Sequence, residues 1–159
     1  MRKGGGVMAE YSANAVQTIN PGETAIFSTV EPCRRGFIRH RDETGSFLLS
    51  GWVPNRGCCC KPRNANYFVD FGANIAIPEG GTVGPISVAL SIDGATVPTS
   101  EMIVTPAAVE EYFNISRAIN LDIWNGCCET VAVRNTSNQP ILMQNANIIF
   151  SRPDLAVSR

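Results

Sequence analysis

From Tyr67 to Ile77 every second residue is apolar: Tyr67, Val69, Phe71, Ala73, Ile75 and Ile77, with Asp70, Gly72 and Asn74 among the side chains between them. A period of two is the mark of a strand with one buried face. A turn containing Pro78, Gly80 and Gly81 follows, and the period returns at Ile86, Val88, Leu90 and Ile92 before Asp93-Gly94. That dipeptide predicts a tight hairpin, because both turn positions favour positive φ. Two long strands, each with one apolar face, need a second layer to cover them.

The remaining segments repeat the pattern in shorter form. Residues 9–20 alternate weakly and read as a first strand or an arm, and Pro21-Gly22 turns the chain. Ala25 and Phe27, then Phe37 to Arg41, then Phe47 and Leu49 read as short strands, and residues 54–65 as a loop without periodicity. Ala95 to Thr105 forms a further strand. Pro106 to Tyr112 is the one helix-like segment, with Thr105 placed to cap it, or else an irregular crossing. Ile119, Leu121 and Ile123 alternate up to an Asn125-Gly126 turn, Val131 and Val133 follow, and Ile141 to Phe150 closes the chain. Eight to ten strands separated by turn signals, with almost no helix, predict an all-β, single-domain antiparallel β-sandwich or jelly roll. The expected division is a flexible leader or arm over 1–14, the domain over 15–152 and a tail over 153–159.

Composition narrows the function classes. The 159 residues are 44% hydrophobic and 17% charged, with a net charge of -1, so a folded core is expected and a polyanion-binding surface is not. Arg34, Arg35, Arg39 and Arg41 cluster, but no stacking aromatics interleave with them, so nucleic acid is not an expected partner. No apolar run approaches the ~20 residues of a membrane-spanning helix. Met1-Arg2-Lys3 runs into Gly4-Gly5-Gly6 rather than an apolar segment, so no secretory signal is read there. Codons for such a purine-rich stretch resemble a ribosome-binding site, and the expected start is Met8.

Catalytic and metal chemistry find little support in the residue pattern. His40 is the one histidine, in an alternating segment without nucleophile-elbow glycines, and reads as structural. Asp42-Glu43 and Glu110-Glu111 are adjacent pairs whose side chains diverge in a strand, which does not suit acid–base work. Asn114-Ile115-Ser116 and Asn135-Thr136-Ser137 match the glycosylation sequon and read more simply as polar strand ends. No catalytic residue, cofactor or metal ligand is assigned. Six cysteines, Cys33, Cys58, Cys59, Cys60, Cys127 and Cys128, lack C-x-x-C spacing. They are expected to be buried thiols with one or two disulfides, Cys33 with one of Cys58, Cys59 or Cys60 first, or else cross-links between subunits. Trp124 and Asn125, at a hairpin tip, are the candidate glycan contacts, since sugar faces stack on aromatic rings.

The order of segments resembles the trimeric tumour-necrosis-factor-like jelly roll, above all the heads of bacterial collagen-like spore-surface glycoproteins and of phage fibres. The matching residues are Gln17, Pro21-Gly22 and Phe27; Gly36, Ile38 and His40; Phe47, Leu49 and Gly51; then Tyr67, Val69, Phe71, Ala73 and Ile75. Ala89-Leu90, Ile92, Gly94 and Val97-Pro98 continue the set, and the series Val131, Val133, Asn135, Ser137, Pro140, Ile141 with Ile148 completes it. The resemblance implies a homotrimer doing structural and recognition work without catalysis. Candidate interface residues are Tyr67, Val69, Phe71, Ile119, Leu121 and Leu142. It further implies a place on a phage virion, as a capsid fibre or decoration protein, or else on a spore or cell surface. Other assembly proteins and host glycans would be its partners. No collagen-like repeat precedes the domain in this sequence, and the cysteine clusters are not part of the spore-head pattern.

Overall fold

The alternation beginning near Tyr67 becomes the longest strand of the structure, a computed structural model that describes residues 8–31, 37–41, 44–53, 64–125 and 128–155. Twelve strands lie among these residues: β1 (Met8–Ala13), β2 (Gln17–Ile19), β3 (Thr29–Glu31), β4 (Ile38–Arg41), β5 (Ser46–Ser50), β6 (Asn64–Ala76), β7 (Ile86–Ile92), β8 (Ala95–Thr96), β9 (Met102–Val104), β10 (Phe113–Trp124), β11 (Cys128–Asn135) and β12 (Ile141–Ser151). They form two antiparallel sheets. The first runs β10-β6-β12-β1-β3, with β2 also on β12; the second runs β4-β5-β11-β7-β8, with β9 also on β7.

Each sheet turns one face inward. On β6 the set Tyr67, Val69, Phe71, Ala73 and Ile75 is buried, as the period of two requires. Phe47 sits at the middle of the sandwich, with ring centroids of Tyr11 at 4.7 Å, Phe27 at 5.4 Å, His40 at 4.8 Å and Phe150 at 4.9 Å. His40 thus serves as a packing ring of the core margin. The Asp93-Gly94 hairpin forms with φ of 49° and 85°. The Asp93 carboxylate accepts the Thr130 N–H at 2.8 Å, which ties the turn to β11.

The series that carries the family resemblance is a local lock. Val131 and Val133 are buried, and the buried Asn135 amide donates to the Ile19 and Gln139 carbonyls, both at 2.9 Å. Its carbonyl oxygen accepts the Ser137 N–H at 2.8 Å, and the Ser137 hydroxyl in turn accepts the Ser87 N–H at 2.7 Å. Asn135 is therefore committed to the fold, and its sequon is spent on structure. Asn114, of the other sequon, is exposed, and its amide donates to Asn74 Oδ1 at 3.0 Å.

Two open readings are decided and one expectation changes. Residues 8–13 are not an arm: β1 pairs with both β12 and β3, because Ala9, Tyr11 and Ala13 are apolar at strand spacing. Pro106 to Tyr112 is not a helix but a bent crossing, in which Glu110 takes φ of 57° and donates its N–H to the Ile77 carbonyl at 2.7 Å. Pro153–Leu155 is a 3-10 turn rather than a loose tail. It is anchored by Arg152, which is 2% exposed and grips Asp154 with Nε at 2.9 Å and Nη2 at 2.7 Å. The same guanidinium lies 5.2 Å from the Phe37 ring centre and 4.8 Å from that of Tyr67, and donates to the Trp52 carbonyl at 3.0 Å.

Candidate self-association surface

The outward residues of the first sheet form a face that no part of the described chain covers with a further sheet. β6 contributes Asn66, Phe68, Asp70, Gly72 and Asn74, and β10 contributes Asn114, Ser116, Ala118, Asn120, Asp122 and Trp124. β12 contributes Leu142, Gln144, Asn147, Ile149 and Ser151, and β1 adds Met8, Glu10 and Ser12. Antiparallel register sets these in rows. One row is Ser116, Gly72 and Asn147; another is Ala118, Asp70, Ile149 and Glu10; another is Asn120, Phe68, Ser151 and Met8. Short polar pairs fix the surface: Asn66 donates to Asp122 Oδ1 at 2.9 Å, and Asn147 to Glu10 Oε1 at 2.6 Å.

Gly72 lies at the centre of this face. A Cβ built there would meet only the Ile115 carbonyl oxygen, at an ordinary 3.7 Å. Among the described residues no contact calls for glycine here; a glycine in a strand interior weakens it and often marks a bulge or the close approach of another group. Around it a groove of about 360 Å³ is lined by Asp70, Asn74, Asn114, Ser116, Asn145 and Asn147. Beside it β12 carries a bulge between Gln144 and Asn147, with Asn145 in the left-handed region at φ of 50°. Toward the Met8 end the face turns apolar, with exposed Phe68 and Met8 beside half-buried Ile149.

The flank where β9 and β10 meet is different in character. Ile103 is 61% exposed, Ile119 is half-buried, and exposed Arg117 donates to the Glu101 carbonyl at 3.0 Å. β10 is a twelve-residue edge strand with no lysine and no proline, the kind of edge that natural proteins cover. The outward face of the four strands carries carboxylates at Glu10, Asp70 and Asp122 and no arginine or lysine. The flank supplies one cation, Arg117, next to exposed Glu101, where the face carries carboxylates alone, and both present apolar side chains.

Of the candidate interface residues, Tyr67, Val69, Phe71 and Leu121 are buried in the core of the single sandwich and face the second sheet. The Tyr67 hydroxyl even donates across the layers to the Ser50 carbonyl at 2.6 Å. Ile119 and Leu142 are half-buried at the flank and on the outward face. Gly72, Ile149, Arg117 and Ile103 escaped the reading of the sequence. The signal for the bulge was present: the inward set of β12 shifts phase from Ile141 and Met143 to Ala146, Ile148 and Phe150.

Trp124 and Asn125 are exposed, as the glycan reading requires. Cys128 is exposed on β11, while Cys33, Cys58, Cys59, Cys60 and Cys127, and with them the expected disulfides, lie outside the described residues. Among the described residues no group of three or more His, Cys, Asp or Glu side chains is placed to hold a metal ion. No helix in them is long and apolar enough to cross a membrane.

No protein-family model matches the chain, and no curated protein matches it in sequence. Solved structures do match in shape. Eiger TNF from S. frugiperda superimposes with a TM-score of 0.65 at 13% identity, covering 97% of this chain and 95% of that one. The globular domain of zebrafish complement 1qA protein gives 0.60 at 10% identity, covering 93% and 97%. Murine APRIL gives 0.58 at 9% identity, covering 91% and 98%. The chain is an antiparallel β-sandwich with the jelly-roll fold of the TNF and C1q domains.

Proposed function

We propose that the chain is a non-enzymatic structural and adhesion module that works as a homotrimer. The observation that carries this reading is the uncovered face around Gly72, whose missing side chain leaves room that none of the described residues uses. The occupant is a second copy. Its β9–β10 flank brings Ile103, Ile119 and Arg117 against Phe68, Ile149 and Asp70, so that apolar groups meet apolar groups and the cation meets the carboxylate. Face and flank are different patches, so the contact is heterologous, and it forms a ring where the rotation closes. Three copies are favoured by the resemblance in sequence and by the TNF and C1q likeness in fold. The setting proposed on the sequence resemblance is a particle surface, a phage virion first and a spore or cell surface second, with other assembly proteins and host glycans as partners.

Gly72→Arg tests the interface. The added Cβ has space within the chain, so the far-UV circular dichroism should be unchanged, while the native mass should fall from that of a trimer to that of a single chain. A Gly72→Arg protein that keeps the mass of the parent would remove this face from the interface.

A further inference from the structure

The second sheet has an outward depression that the proposed ring leaves open. Strand alternation puts Arg39 of β4 and Leu48 of β5 outward and directly opposite each other, and Cys128 of β11 stands opposite Ser50. With Phe37 they line a cavity of about 250 Å³. Phe37 is held in place by Trp52, stacked on it at 5.4 Å and 20° and itself half-exposed. The Ser50 hydroxyl accepts the Trp52 N–H at 3.2 Å, which leaves its own proton to donate outward. Arg39 is exposed and has no carboxylate partner among the described residues.

We propose that this depression binds one sugar residue bearing a carboxylate, of the uronic-acid class. The parts divide the recognition between them. The planar Arg39 fork matches a carboxylate with two parallel hydrogen bonds, which an ammonium could not do. Leu48 and Phe37, the latter backed by Trp52, supply the apolar wall on which the C–H face of a pyranose packs, and Ser50 donates to a ring hydroxyl. Among the described residues the lining holds no carboxylate that would repel an acid. At less than the ~300–1,000 Å³ of a drug-sized site, the cavity takes one ring rather than a chain. A single shallow site of this kind is weak. Three of them on one trimer would act together on a surface coated with such sugars, because linked sites raise the effective concentration of one another. The described lining residues all belong to a single chain.

The test is a titration followed by nuclear magnetic resonance, with free glucuronate and free glucose as probes at millimolar concentration. Glucuronate should shift the signals of Arg39, Leu48 and Phe37, and glucose should bind about tenfold more weakly or worse, having lost the charge-assisted pair. Arg39→Gln, exposed and so expected to fold normally, should reduce glucuronate to the level of glucose, whereas Trp124→Ala should change nothing. Equal binding of both sugars, no shift with either, or a loss caused by Trp124→Ala and not by Arg39→Gln would each overturn the assignment. Light scattering on the same samples reads the oligomeric state separately.

Discussion

Replacing Arg152 with alanine is expected to lower the stability of the fold by about 3–5 kcal/mol, the cost of breaking a buried ion pair by removing one partner. The guanidinium is almost wholly buried and does four things at once. It takes both oxygens of Asp154, the Trp52 carbonyl and the faces of Phe37 and Tyr67. It therefore ties the end of β12 to the exit of β5 and the start of β4. Alanine would remove the Arg152 cation from the half-buried Asp154 carboxylate and the Arg152 donor from the Trp52 carbonyl, and leave two rings facing a void. Thermal unfolding at fixed protein concentration should show the loss as a fall in Tm of about 10 °C, from the usual scaling for a chain of this size. The double replacement Arg152→Met with Asp154→Leu should recover much of it, because an apolar pair carries no desolvation cost. A change of less than about 1 kcal/mol for Arg152→Ala would mean that the clamp is incidental.

The same pair sets an acid limit. Burial on its own would raise the Asp154 pKa, but the hydrogen bonds from Arg152 and from the Asn66 N–H outweigh it and hold the carboxyl below its ordinary value. A carboxyl with a lowered folded pKa contributes stability that is fully present above its unfolded value and is lost as the pH falls through the folded one. Stability should therefore decline on the acid side of the ordinary carboxylate range, and less steeply in the Arg152→Met, Asp154→Leu protein.

Phe47→Ala is the second large effect, again about 3–5 kcal/mol. Phe47 is fully buried, and four rings surround it, from Tyr11, Phe27, His40 and Phe150. These come from both sheets and from the strap between β2 and β3, so the ring closes the two layers on each other. Strands cannot collapse into the space left behind without breaking their ladders, which puts the loss toward the upper part of that range. Phe47→Leu should cost less, since it keeps apolar volume and loses mainly the tilted and stacked ring contacts. Chemical denaturation should show a shifted midpoint with an unchanged slope. A Phe47→Ala protein as stable as the parent would contradict the placement of the core.

Local pattern carried much of this architecture. The inward set of β6, the Asp93-Gly94 hairpin and the alternation of β10 are all properties of neighbouring residues, which a sequence displays directly. What alternation cannot say is what a buried face meets. Tyr67, Val69 and Phe71 were open to either the second sheet or a partner, and the second sheet covers them. Arg152 was invisible for a related reason: its partners Phe37, Trp52 and Tyr67 lie far away in the chain. Thr105-Pro106 reads as a helix start, yet the Ile77 carbonyl, supplied by a distant strand, captures the Glu110 N–H and bends the segment instead. Gly72 reads as a polar-side residue of a strand, and only the space above it gives it meaning.

The most direct test of the account is the native mass by light scattering, measured with and without reductant. The expected result is three times 17.1 kDa in both buffers, with the cysteines playing no part in holding the subunits together. A single chain of 17.1 kDa in both, or a trimer that exists only under oxidising conditions, would contradict an interface built from the Gly72 face and the β9–β10 flank.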